Sequence, residues 1–203
     1  MAGEFLITLG DARQIPELFQ GGMLQGRGEP RMCMVGRSNV GKSSLINALL
    51  GTRIARISKE PGKTRSIHFY LWKELSKIVA DLPGYGYARV SHSERERWAN
   101  FINRYLKCDG GLERALVLLD ARHGPTNLDR QAIDFLSLSN IPVTFVFTKF
   151  DTLKTQKERA ARRKEAGAAL RELGCDPDSA IWASSKTGDG LREIVKAISY
   201  VKS

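Results

Sequence analysis

Gly36-Arg37-Ser38-Asn39-Val40-Gly41-Lys42-Ser43 is the stretch that most restricts how this chain can fold. It fits G-x-x-x-x-G-K-[ST], a loop whose glycines let backbone N–H groups turn inward around phosphate oxygens. Such a loop needs a buried strand before it and a helix after it, because the helix N-terminus adds its positive dipole end. Both are written in the sequence. Met32 to Val35 is an apolar run that stops at Gly36, and Leu45, Ile46, Leu49 and Leu50 recur at helical spacing until Gly51. Gly36 to Ser44 are therefore candidate phosphate contacts: Gly36, Arg37, Ser38, Asn39, Val40, Gly41, Lys42, Ser43 and Ser44. Lys42 is placed to reach β- and γ-phosphates, and Ser43 to offer a hydroxyl to Mg²⁺.

Strands and helices alternate along the rest of the chain. Ile67, Phe69 and Leu71 alternate with His68, Tyr70 and Trp72 as in a strand, and Ser76 to Ala80 reads as a second one after a turn at Lys73 and Glu74. Trp98, Phe101, Ile102, Tyr105 and Leu106 share one helical face. Ala115 to Leu119 and Val143 to Phe147 read as buried strands, with Leu128, Ala132, Phe135 and Leu136 marking a helix between them. A basic helix is expected over residues 154–173, a short strand over Ala180 to Ala183, and a closing helix carrying Leu191, Ile194, Val195 and Ile198. This order implies right-handed crossovers and a mostly parallel sheet covered on both faces. The pair at 66–72 and 76–80 is joined too tightly for a crossover, so those strands should be antiparallel. Residues 20–30, rich in Gly and polar side chains, read as a loop. The chain then divides into an N-terminal extension, 1–28, in which Phe5, Leu6 and Ile7 point to an added edge strand, and a main domain, 29–203.

A length of 203 residues, 42% hydrophobic and 27% charged, suits one globular domain and excludes a disordered composition. No apolar run approaches the roughly 18–20 residues that span a bilayer. Met1-Ala2-Gly3-Glu4 has no basic stretch and Asp11 soon follows, so a secretory leader is not expected. Cys33, Cys108 and Cys175 are odd in number and far apart, which argues against a disulfide framework or a zinc site. A cytoplasmic protein without a membrane partner is the expectation. The formal charge is +10, which suggests an anionic partner but says nothing of fold. Residues 52–66, 89–107 and 152–165 carry +4, +3 and +4, whereas residues 1–30 carry −2.

Three further segments follow strand ends. Asp81-Leu82-Pro83-Gly84 closes the second strand of the antiparallel pair, where Asp81 can hold a Mg²⁺ shell and Gly84 can bring a backbone N–H to a γ-phosphate. Thr148-Lys149-Phe150-Asp151 follows the strand at Val143. A carboxylate there accepts from guanine N1–H and N2–H₂ together, a donor pair adenine lacks, and Lys149 can lay its stem along the base. Ser184-Ser185-Lys186 follows the last strand and offers backbone N–H groups to guanine O6. In this order these are the P-loop GTPase set. The expected fold is a three-layer Ras-like α/β domain, with a mostly parallel sheet, one antiparallel strand and helices on both faces. Gly62-Lys63-Thr64-Arg65-Ser66 lies where such proteins keep a switch Thr, so Thr64 is the expected second metal ligand. Lys42, Thr64 and Gly84 are the candidate catalytic residues.

GRSNVGKSSLINAL, PGKTRSIHFY, DLPGYGYA, TKFD and SSKTG resemble the EngB (YihA/YsxC) bacterial GTPases of the Era-like class, from about Glu4 to the C-terminus. The resemblance implies GTP hydrolysis with Mg²⁺, GTP and GDP as ligands, and a monomer acting in assembly of the large ribosomal subunit, with a link to cell division and septation. Ribosomal RNA and proteins are the implied partners. Two departures from the wider GTPase pattern stand out. Thr148 replaces a common Asn and is shorter, so it should tie loops together less well. Tyr85 replaces the Gln that orients water in Ras-like proteins. Asn39 resembles the Asn with which some relatives hold K⁺, so K⁺-stimulated hydrolysis is a further expectation. His68 and His123 are imaginable general bases, but both read better as ordinary strand and turn residues. The rival classes are a P-loop nucleoside or small-molecule kinase, which would not need Asp151, and an RNA-binding protein with a structural nucleotide. A tRNA-modifying relative would carry extra domains that this length does not hold.

Overall fold

The computed structural model describes residues 3–55, 66–86 and 92–199. In chain order the elements are β1 (Glu4–Leu9), α1 (Ile15–Phe19), β2 (Arg31–Gly36), α2 (Lys42–Leu50), β3 (Ile67–Trp72), β4 (Lys77–Asp81), α3 (His92–Cys108), β5 (Leu112–Asp120), α4 (Asn127–Ser137), β6 (Val143–Thr148), α5 (Gln156–Glu172), β7 (Ile181–Trp182) and α6 (Leu191–Ser199). The seven strands form one sheet in the order β1-β3-β4-β2-β5-β6-β7. The pairings β2–β4, β2–β5, β5–β6 and β6–β7 are parallel, while β3 is antiparallel to both neighbours. One strand thus runs against the rest, as the tight connection at residues 73–76 requires.

Alternation along the strands divides the interior in two. On one face Cys33, Val35, Phe69, Ile78, Val117 and Phe147 pack under α1, α3, α4 and α5. On the other Met32, Met34, Tyr70, Val79, Leu118 and Val146 meet α2 and α6. β2 is buried along its whole length, as a central parallel strand with helices on both faces should be.

Residues near the N-terminus are built into the domain. β1 pairs with β3 from Glu4↔Leu71 to Leu9↔Ile67. A 3₁₀ turn at Ala12–Gln14 and α1 follow, where the sequence shows no helical period. Five residues are too few for a helical period to show. The local signal was Asp11, whose carboxylate accepts from the Arg13 N–H while Gln14 reaches back to the Asp11 N–H. Ile15 and Leu18 are buried, and Phe19 stacks on Tyr105 with ring centroids 6.4 Å apart. A shared buried polar cluster lies beside them: Arg31 pairs with Asp109, which also accepts from the Tyr105 hydroxyl at 2.8 Å.

Other boundaries shift by a residue or two. β4 includes Asp81 rather than ending at Ala80, α5 spans 156–172, and β7 is only two residues long. Among the described residues no helix is long and apolar enough to cross a membrane.

Candidate nucleotide-binding site

The parallel strands β2, β4, β5, β6 and β7 end on one ledge, and the loops that leave them carry the motifs. Gly36 ends β2 where a Cβ would come within 2.9 Å of Val40 Cγ1 and 3.0 Å of Leu118 Cβ, so only glycine lets the chain turn there. Asn39 and Gly41 take left-handed conformations, φ 62° and 105°. Gly41 stands at the N-cap of α2, where it supplies no side-chain acceptor to the first helical N–H groups. Those donors remain for an anion. Ser38 Oγ is also buried without a hydrogen-bond partner among the described residues. An orphaned hydroxyl and uncapped amides in one loop suit a bound phosphate.

The segment after β4 runs alongside this loop. Leu82 N–H donates to Met34 O at 3.2 Å, Tyr85 N–H to Gly36 O at 3.3 Å, and Ser38 N–H to Tyr85 O at 2.9 Å. A Cβ on Gly84 would meet Ser38 N at 3.1 Å, so that glycine allows the close approach. Lys42 Nζ donates to the carboxylate of Asp81, and both side chains are almost wholly buried. Ser43 lies next to Lys42 at the start of α2. A hydroxyl, a nearby carboxylate and phosphate oxygens are hard oxygen donors, and they fit Mg²⁺ better than a softer metal. Among the described residues no group of three or more His, Cys, Asp or Glu gathers as an all-protein metal site.

The loop expected to read the base, Thr148–Asp151, is braced against the phosphate loop. Thr148 Oγ1 donates to Val40 O at 2.6 Å and lies 3.1 Å from Leu119 O. Lys149, itself at φ 59°, donates to the neighbouring Asn39 O at 2.5 Å. Two consecutive donors thus hold two consecutive carbonyls. This corrects the expectation that Thr148 ties loops together poorly: the loops lie close enough for its short side chain to reach. A trans peptide sets C=O and the next N–H on opposite sides, so fixing Val40 O also aims the Gly41 N–H away from Thr148.

Asp151 receives the Ser184 hydroxyl at 2.7 Å, and Ser184 Oγ in turn accepts the N–H groups of Lys186 and Thr187 at 3.1 and 3.2 Å. The segments after β6 and β7 are thereby one unit, with Ser185 and Lys186 exposed at its rim. Phe150 behaves differently from its neighbours. Its ring is buried beside Trp182 under Arg159, and its N–H donates to Ala183 O, so it supports the loop from beneath. Leu82 is likewise wholly buried. Pro83 lies between it and Gly84 on the ledge.

Asp120, at the end of β5, was missed in the sequence. Its buried carboxylate accepts from Lys149 Nζ at 2.9 Å and from Arg122 Nε and Nη2 at 2.9 and 2.6 Å. Burial works against its charge, but the hydrogen bonds from Arg122 and Lys149 prevail and hold it well below the usual carboxylate range. An Asp closing an apolar strand, the same signal that marked Asp81, was there to be read.

Gly62, Lys63, Thr64 and Arg65 lie outside the described residues. Ser66 is described. It directly precedes β3 beside Gly10, at the end of that strand where His68 pairs with Asp81. His68 Nδ1 is 2.8 Å from Thr8 Oγ1 at that same end, and His123 is exposed in the turn after β5.

Comparison with known proteins agrees with this geometry. Residues 31–149 match the family model described as a 50S ribosome-binding GTPase. The chain is 49% identical over 138 residues to a probable GTP-binding protein EngB of Desulfovibrio desulfuricans, covering 68% of each chain. It is 44% identical over 168 residues to the Thermotoga maritima protein of the same description, covering 83% of this chain and 84% of that one. A crystal structure of a probable GTP-binding protein engB superposes with a TM-score of 0.62 at 27% identity, over 83% of this chain and 96% of that one. An Era structure in complex with MgGDPNP and a segment of 16S ribosomal RNA gives 0.63 at 27% identity, over 84% of this chain but 55% of that longer one.

Proposed function

The chain belongs to the EngB family of P-loop GTPases and is a GTP-hydrolysing enzyme, and from that premise we propose that it acts as a nucleotide-dependent switch in assembly of the large ribosomal subunit. One observation carries the reading. Thr148 and Lys149, from the loop that reads the base, are bonded to the carbonyls of Val40 and Asn39 in the phosphate loop. The shape of the base pocket and that of the phosphate cradle are therefore not independent. A guanine nucleotide that fits both stabilises one arrangement of the ledge.

In this reading water attacks the γ-phosphate of GTP in line with the departing β-phosphate oxygen. Lys42 exchanges Asp81 for phosphate oxygens, and the loop amides stabilise the charge of the transition state. Ser43, Thr64 and the shell held by Asp81 would keep Mg²⁺, which supplies further charge neutralisation when bound. The Era neighbour was solved with MgGDPNP, which supports that assignment. Asn39 would be the K⁺ contact, an assignment supported by its resemblance to the Asn with which some relatives hold K⁺. No side chain of the described ledge stands out as a general base, and Tyr85 cannot replace a water-orienting Gln, since its hydroxyl is already bonded to Asp129. Turnover is slow until a partner completes the site.

The partner is ribosomal RNA with its proteins, met in the cytoplasm by a monomer, and the link to cell division and septation follows from that supply of ribosomes. The description of the matching family and the RNA-bound Era neighbour support this. So do the basic segments 52–66, which contains Thr64, and 89–107, which follows Gly84 by a few residues. Sedimentation with 30S and 50S particles tests it. Binding should favour 50S, strengthen with a non-hydrolysable GTP analogue over GDP, and weaken steeply with salt. Binding indifferent to the nucleotide would refute the switch.

A further inference from the structure

Asp129 is a wholly buried carboxylate in the first turn of α4, away from the phosphate loop in sequence but joined to it in space. Its Oδ1 accepts the Tyr85 hydroxyl at 2.7 Å. Its Oδ2 accepts the N–H and hydroxyl of Thr126 at 2.8 and 2.6 Å and stands 3.5 Å from Arg37 Nε. Three segments therefore meet at one side chain: the phosphate loop, the turn after β4 and the start of α4. Tyr85 is buried too, and burial together with the charge of Asp129 pushes its phenol far up, so the hydroxyl stays protonated and donates.

The backbone around Tyr85 is held as firmly as its side chain. Its N–H and C=O pair with Gly36 and Ser38, and its neighbour Gly84 is packed against Ser38 N. On the other side Gly86 is left-handed at φ 82°, with Leu128 Cδ1 only 3.1 Å from where a Cβ would stand. α4 thus clamps residues 85 and 86 through Asp129 and Leu128.

We propose that Tyr85 and Asp129 are positioning residues for GTP hydrolysis, fixing the Gly84 peptide against the phosphate loop where it meets the γ-phosphate. The proposal rests on the reading of Gly84 as the γ-phosphate contact. A diphosphate does not extend to that peptide, so the effect is confined to triphosphates and to the hydrolytic step. This separates a positioning role from a structural one, which would weaken both nucleotides alike.

Tyr85→Phe removes the hydroxyl and keeps the ring. Its GDP affinity should stay within about twofold of wild type, while affinity for a non-hydrolysable GTP analogue falls about fivefold and the single-turnover rate about tenfold. Gly84→Ala, measured in parallel, tests the underlying contact and should also lose preference for the analogue. If Gly84→Ala shows that loss and Tyr85→Phe matches wild type, the role of Tyr85 and Asp129 is overturned while the Gly84 contact stands. If Gly84→Ala keeps the wild-type preference, the contact fails and the proposal with it. Amide exchange of the unaltered protein gives a readout that does not depend on either variant folding. Replacing GDP by the analogue should slow exchange at 84–86 and 126–130 together, and independent behaviour of the two segments would overturn the coupling.

Discussion

Thr148→Val puts the brace between the two loops to a direct test. Valine has nearly the shape of threonine, so packing at this 4% exposed position is kept and only the hydroxyl is lost. The hydroxyl has one proton, and the 2.6 Å contact to Val40 O takes it in preference to the 3.1 Å contact to Leu119 O. Removing the donor leaves a buried carbonyl facing a methyl group, a loss of about 1–3 kcal/mol. Part appears as lower stability of the free protein. The rest appears in binding, because Val40 O is then free to turn and the Gly41 N–H turns with it. If half is felt on binding, GDP affinity falls by roughly 2- to 13-fold, about 0.5–1.5 kcal/mol.

Titration calorimetry with GDP, together with urea unfolding of the free protein, measures both shares. Thr148→Ser, which keeps the donor, should bind within a few-fold of wild type. A valine variant that binds GDP as tightly as wild type, with an unchanged urea midpoint, would show that the hydroxyl braces nothing. A valine variant and a serine variant that lose equally would place the effect in the methyl group instead.

Asp151→Asn replaces a two-acceptor carboxylate by a group that offers one acceptor and one donor, so one of the two guanine N–H groups faces another donor. Losing one charge-assisted bond of about 1.5–3 kcal/mol, with the other reduced to a neutral one, should weaken GDP by at least about 10-fold, while xanthine nucleotides, with a carbonyl at that position, should gain; competition binding decides, and unaltered guanine preference would remove Asp151 from the base pocket. Alkaline pH should destabilise the fold. Burial, with Asp109 adding, pushes the Cys33 thiol far up, and Tyr105 is raised in the same way. Both groups are neutral in the fold and ionise more readily in the unfolded chain. Their contribution is therefore complete below the unfolded thiol value of about 8.5 and is lost as pH rises above it. The urea midpoint should fall between about pH 7.5 and pH 10, and less so in Cys33→Ala.

How much of this could be read from residues alone depends on how far apart the cooperating groups lie in sequence. The phosphate loop closes on itself within eight residues, so spacing fixes both its backbone and its ligand, and Gly36, Gly41 and Lys42 stand where the pattern requires. Asp81 and Asp151 were legible because each follows an apolar strand, and strand ends of a parallel sheet collect at one ledge. Distances across that ledge were not legible. The sequence says only that Thr148 is short, which suggests a weak tie, but the loops approach to 2.6 Å and a longer side chain is not needed. Asp120 and Asp129 act on Lys149 and Tyr85, 29 and 44 residues away, through bonds that exist only once β5 and α4 are packed. Their partners, unlike the residues themselves, could not be read from the local pattern. A strand-end Asp and a capping Asp are each common for local reasons, and what gives these two a role is the identity of the donor that folding brings to their second oxygen. Residues expected to meet nucleotide are thus marked by pattern, whereas residues that aim them are marked by a buried carboxylate bonded to a side chain of a neighbouring functional loop.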